Sequence, residues 1–119
     1  MSFAVVDSRI LITGSAMGMG RLYAERAVAE GAAVVILVDY NEQTLNETAD
    51  ALRQTAGTTQ KIVPVVVNLA DRSAIEKAMA KVVAQFGGVD VLINNAGVVT
   101  GSYFWEHHNE RDTEFTMKV

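Results

Sequence analysis

The 119-residue chain contains no cysteine, which excludes disulfides and thiolate-bound metal sites. The same lack fits a cytoplasmic chain. Basic residues are outnumbered: 10 Lys and Arg against 14 Asp and Glu leave a formal charge of −4. That balance argues against nucleic acid as the main partner, because phosphate binding needs clustered Lys and Arg. Long apolar runs are missing too. Ala32–Val38 is among the longest and is far too short to cross a bilayer, so no membrane partner is expected. Residues 1–10 show no basic start followed by a long apolar core, and no signal peptide is expected. What the chain does have is a globular composition, half hydrophobic and only 20% charged. Its length suits one domain, or part of one, burying about two thirds of its unfolded surface.

Apolar runs alternate with helical stretches. Arg9–Thr13 (RILIT) stops at Gly14 and predicts a buried strand. Gly18–Glu30 predicts a helix, with Leu22, Ala24, Ala27 and Val28 available for an inward face and Gly31 as its stop. Ala33–Asp39 (AVVILVD) is a second strand, rich in Val and Ile. Asn41 is placed to cap a helix carrying Leu45, Ala49 and Leu52 on one stripe, closed by Gly57. Lys61–Leu69 (KIVPVVVNL) is a third strand, and Pro64, without an N–H, puts it at the sheet edge. Asp71 can cap a third helix, whose Ile75, Ala78, Met79, Val82, Val83 and Phe86 repeat at helical spacing until Gly87-Gly88. Val89–Asn94 is the fourth strand. This alternation predicts an α/β fold: a Rossmann-like, doubly wound parallel sheet of order 3-2-1-4 in three αβα layers. Thr100–Val119 is polar by contrast, carries Trp105, His107 and His108, and is expected to turn helical from about Asn109.

The residues between the first strand and the first helix are Thr13-Gly14-Ser15-Ala16-Met17-Gly18-Met19-Gly20. A diphosphate needs a sharp turn off the strand, a backbone it can approach without a Cβ in the way, and a helix starting close to the sheet. Gly14, Gly18 and Gly20 supply these in turn. Backbone N–H groups and the helix dipole then favour the anion. The spacing is GxxxGxG, not GxGxxG, and no Lys follows the glycines as a Walker loop requires. Asp39 stands at the end of the second strand, where a carboxylate accepts hydrogen bonds from the adenosine ribose and repels a 2′-phosphate. Neither Tyr40 nor Met17 is basic, so NAD is favoured over NADP.

With Thr13-Gly14-x-x-x-Gly18-x-Gly20, Asp39, and Asn94-Asn95-Ala96-Gly97 after VDVLI, the chain resembles the classical short-chain dehydrogenase/reductase (SDR) family over essentially its whole length. The resemblance implies that Gly14, Ser15, Gly18, Met19 and Gly20 surround the cofactor diphosphate, Met19 through its backbone. Asp39 holds the adenosine ribose with Tyr40 beside it. Asn68 and Leu69 flank the adenine, an Asn standing where the family usually has an acid. Asn95, Ala96 and Gly97 line the nicotinamide-side ribose, and the Asn side chains can also tie neighbouring strand ends together. No metal ligand set is expected, since the adjacent His107 and His108 point apart on any regular element.

The family transfers hydride between a nicotinamide and an alcohol or ketone carbon, using a Tyr whose proton affinity is lowered by a Lys four residues on. No Tyr-x-x-x-Lys pair occurs here: Ala27, Thr44 and His107 stand four residues after Tyr23, Tyr40 and Tyr103. Residues 1–119 are therefore expected to be the NAD(P)-binding, N-terminal portion of a single-domain SDR, truncated after the fourth strand and inactive alone. The intact parent is expected to be an NAD-dependent oxidoreductase acting on a small-molecule alcohol or ketone. The exposed fourth strand is expected to promote homo-oligomers or self-association. The alternatives are a non-catalytic dinucleotide-binding or regulatory module and an adenosyl-methionine-dependent methyltransferase, the latter disfavoured by the loop spacing and by Asn94-Asn95-Ala96-Gly97.

Overall fold

The computed structural model describes residues 5–95. Strands and helices alternate: β1 (Arg9–Thr13), α1 (Gly18–Ala29), β2 (Val34–Asp39), α2 (Glu42–Thr55), β3 (Lys61–Val66), α3 (Arg72–Phe86) and β4 (Val91–Asn94). The four strands form one sheet in the order β3-β2-β1-β4, and every pairing is parallel. The expected α/β Rossmann-like architecture is what the chain adopts.

Side chains leave a strand alternately to its two faces, so one apolar run feeds two cores. Ile10, Ile12, Val35 and Leu37 join Ala24, Val28, Leu45 and Leu52 in the core beneath α1 and α2. Leu11, Val34, Ile36 and Val38 join Ile75, Ala78 and Val82 of α3 in the other. Two helix faces differ from expectation. Leu22 is exposed, because α1 buries the small Gly20, Ala24, Ala27 and Val28 against the sheet. Two residues from both Gly20 and Ala24, Leu22 falls about 200° round the helix from each. Val83 is also exposed, leaving Ile75, Ala78 and Val82 as the buried stripe of α3.

Element ends follow from local chemistry. Asn41 Oδ1 accepts from the Thr44 N–H at 3.0 Å and starts α2. Asp71 Oδ1 accepts from the Ala74 N–H at 3.1 Å and starts α3. α3 stops at Gly87, whose φ of 83° is left-handed. β3 ends at Val66 rather than Leu69, because its partner β2 ends at Asp39 and the last bond between them runs from Val67 N–H to Asp39 O. β4 starts at Val91 rather than Val89, after the Asp90 N–H has closed onto Arg9 O at 2.8 Å.

β3 is the edge strand, as its proline requires. Lys61 and Val67 donate to Ala33 and Asp39. Inward and outward donors alternate along a strand, so the N–H that Pro64 lacks would face away from β2 and no ladder bond is lost.

The chain crosses from β3 past β1 to β4, so the sheet order reverses between β1 and β4. In open α/β sheets, ligands bind outside the carboxyl ends of the strands at such a reversal. Here those ends are Thr13 and Asn94, paired in register. The Thr13 hydroxyl donates to Asn94 Oδ1 at 2.9 Å, and Asn95 Nδ2 donates to Gly14 O at 3.2 Å. The two Asn side chains thus tie the strand ends together.

Candidate cofactor site

The loop after β1 has an anchored half and an open half. In the anchored half, the Gly14 N–H donates to Val38 O at 2.8 Å and the Ser15 N–H to the same oxygen at 3.4 Å. The Ala16 N–H donates to Asp39 Oδ2 at 2.9 Å. On the carbonyl side, Gly14 O takes Asn95 Nδ2, and Ala16 O takes the Thr48 hydroxyl at 2.7 Å. The open half is Met17, Gly18 and Met19, all exposed. Met17 is the N-cap of α1 and makes no side-chain cap bond, and the first turn of α1 holds no acidic residue.

Two glycines are required here for different reasons. Gly18 has φ of +63°, which L side chains resist, and a Cβ built on it meets nothing within 4 Å. Gly20 has no room at all: a Cβ there would lie 2.0 Å from Gly14 O. That contact is the close seating of α1 against the loop.

A cleft of about 480 Å³ opens over this loop. It is lined by Gly14, Ala16, Met17, Gly18, Met19, Asp39, Tyr40, Asn41, Leu69 and Asn95, none of them Lys or Arg. Asp39 is buried, and its carboxylate is already engaged by backbone. Oδ2 accepts from Ala16, and Oδ1 accepts from the Tyr40 N–H at 2.7 Å and the Asn41 N–H at 3.4 Å. A carboxylate has about four acceptor directions, so one remains on Oδ2. Asp39 therefore ends the strand, braces the loop and still has capacity for a ligand hydroxyl.

Of the residues singled out from sequence, Gly14, Gly18, Met19, Asp39, Tyr40, Leu69 and Asn95 meet at this cleft. Ser15 and Gly20 are buried behind it, and the Ser15 hydroxyl donates to Val38 O at 3.4 Å. Asn68 lines a neighbouring groove of about 860 Å³ between β3 and α3, which shares Tyr40 with the cleft and includes Val63, Val65, Ala78, Val82 and the exposed Lys77 and Lys81. Its own Oδ1 accepts from the Ala70 N–H at 2.9 Å. Ala96, Gly97, Trp105, His107, His108 and the helix expected from Asn109 lie outside the described residues. No cluster of potential metal ligands occurs among the described residues. Ala16, Asn41 and Thr48 were not picked out as site residues. A hydroxyl residue on the buried stripe of α2 was the available sign for Thr48.

The residues fit a dinucleotide: an uncapped helix N-terminus, an open cradle at Gly18, and an acid lining the same cleft. Residues 8–119 match the short chain dehydrogenase family. The chain belongs to that family.

Among relatives, this SDR chain is 36% identical over 108 residues to 1,6-dihydroxycyclohexa-2,4-diene-1-carboxylate dehydrogenase of Pseudomonas putida, covering 91% of this chain and 38% of that protein. It is 35% identical over 109 residues to human 15-hydroxyprostaglandin dehydrogenase (NAD(+)), covering 92% of this chain and 37% of that one. Among solved structures, the L-sorbose reductase of Gluconobacter frateurii, complexed with NADPH and L-sorbose, superimposes with a TM-score of 0.73 at 33% identity, covering 82% of this chain and 36% of that one. The SDR chain thus spans a little over a third of the length of these relatives. No helix among the described residues is long and apolar enough to cross a membrane.

Proposed function

We propose that residues 1–119 form the dinucleotide-binding portion of a single-domain NAD-linked oxidoreductase that interconverts a small-molecule alcohol and ketone. The observation that carries this reading is the α1 N-terminus. It lacks a side-chain cap and opens, through Gly18, into a cleft that Asp39 also lines. The open amides at Met17–Met19 hold the diphosphate, with Gly14, Ser15 and Gly20 shaping the turn behind them. The remaining acceptor direction of Asp39 takes a ribose hydroxyl, with Tyr40 beside it. Asn68 and Leu69 flank the adenine, and Asn95, Ala96 and Gly97 the second ribose. A nicotinamide bound there would supply hydride transfer, and the residues of this chain would hold and orient it.

NAD is favoured over NADP because, among the described residues, the cleft lining offers a 2′-phosphate a carboxylate and no Lys or Arg. The relatives include both a protein named for NAD(+) and one complexed with NADPH, so the preference rests on Asp39 and its neighbours. The reading extends to a cytoplasmic location and to self-association through β4, the outer strand on its side of the described sheet. A purely regulatory module is the weaker reading, because the relatives above are dehydrogenases and a reductase.

Calorimetric titration of this chain with NADH and with NADPH tests the assignment. NADH should bind more tightly, and Asp39→Ala should weaken it by about tenfold, the equivalent of ~1.4 kcal/mol. Tighter NADPH binding, or no binding of either, would sink it.

A further inference from the structure

We infer that Thr48, in the middle of α2, is a positioning residue for the cofactor loop, acting through the carbonyl of Ala16. The inference rests on the dinucleotide reading of that loop and concerns a residue outside the expected site. Thr48 is fully buried on the α2 stripe that otherwise carries Leu45, Ala49 and Leu52. A hydroxyl in such a place is unfavourable unless it is hydrogen-bonded. Its bond goes to Ala16 O, at 2.7 Å and 32 residues away in sequence.

The geometry of one peptide unit gives this bond its consequence. The C=O of Ala16 and the N–H of Met17 belong to the same planar group, and no peptide bond among the described residues is cis. A trans peptide holds its N–H opposite its C=O. With the C=O drawn into the core by Thr48, the Met17 N–H is turned away from the core. Met17 itself is exposed and lines the cleft. The preceding peptide is held as well, the Ala16 N–H by Asp39, and a local opening that frees this amide must release both holds on the residue. The two peptides flanking Ala16 are therefore clamped from β2 and from α2, and the first open amide of the loop is aimed by the second clamp. Thr48 touches no ligand; it sets the direction of a group that does.

The test compares Thr48→Val, Thr48→Ser and a control, Val82→Ala, on the opposite face of the sheet. Two readouts are taken on the 119-residue chain: amide hydrogen exchange at Ala16 by NMR, and NADH affinity. Thr48→Val keeps the shape and removes the donor. It should speed Ala16 exchange and raise the NADH Kd, each by about tenfold, as expected for loss of one buried hydrogen bond. Thr48→Ser should restore both. Val82→Ala should lower the melting temperature while leaving both within about twofold of wild type, since distant sites act independently.

The inference is overturned if Thr48→Val leaves both readouts unchanged, or if Val82→Ala reproduces them at equal melting temperature. A wild-type chain that binds no NADH would overturn the dinucleotide reading instead, and Ala16 exchange would still decide the hold of Thr48 on the loop. Should Thr48→Val not fold, the wild-type hydroxyl proton decides. A Thr48 hydroxyl in slow exchange and coupled to the Ala16 carbonyl supports the clamp, and a rapidly exchanging one overturns it.

Discussion

After β2 the chain enters its helix through Asn41, and after β3 through Asp71, each accepting a hydrogen bond from a first-turn amide. After β1 it enters α1 through Met17, whose side chain makes no such bond. Three strand-to-helix turns thus perform one topological task with two chemistries. Capped turns supply their own partial negative charge to the helix N-terminus, at about 1 kcal/mol of stability each. The uncapped turn leaves that position to whatever anion arrives. The comparison teaches that a binding site can be located by the stabilising residue a helix does without.

The largest expected effect breaks the uncapped turn outright. Gly20→Ala places a Cβ 2.0 Å from a backbone oxygen that cannot swing aside. Stability should fall by about 3 kcal/mol or more, seen as a collapse of the thermal transition by circular dichroism. A sharper contrast comes from giving α1 the cap it lacks. Met17→Asp should stabilise the chain by about 1 kcal/mol, raising the melting temperature by about 4–8 °C. The same change should weaken NADH binding by about tenfold or more, because the carboxylate occupies the helix terminus that the diphosphate needs. Stability and affinity moving in the same direction would break the comparison. Conversely, Asn41→Ala and Asp71→Ala should each remove about 1 kcal/mol in denaturant titrations, the latter with NADH affinity unchanged.

The smallest expected effect concerns the opposite end of the sheet. Arg9 and Asp90 pair there at 2.9 Å, and Asp90 also accepts from the Arg9 backbone N–H at 2.7 Å. The Arg9 side-chain bond, then the backbone bond, hold the Asp90 carboxyl below its ordinary pKa. A carboxyl with a lowered folded-state pKa contributes fully above its unfolded value, about 3.9, and loses that contribution as pH falls through the folded value. The melting-temperature difference between wild type and Asp90→Asn should therefore be constant near neutrality and shrink in acid. Both side chains are partly exposed, so the difference should be small.

Much of this arrangement was legible in the chain itself. The runs RILIT and VVILVD, the helical spacing of Ile75, Ala78 and Val82, and the proline at the edge strand carry the fold because periodicity and backbone chemistry are local properties. Asn41 and Asp71 were readable as caps for the same reason. The division of labour inside the cofactor loop was not. That Ser15 turns inward, that the Ala16 N–H is consumed by Asp39, and that Thr48 reaches Ala16 are facts of adjacency between residues 23 to 32 positions apart. Sequence spacing holds no term for such encounters. Leu22 is a different case: its place about 200° round the helix from Gly20 and Ala24 puts it in solvent, so helical phase outweighs its hydrophobicity.

Pro64 has a consequence for how molecules of this shape meet. Strand addition at an open margin proceeds like a zip, each outward amide engaging the newcomer in turn. Along the outer margin of β3 those amides belong to residues 62, 64 and 66, and the middle tooth is missing. A second chain can start at that margin but cannot run its length. Proline here insulates one side of the sheet against templated growth.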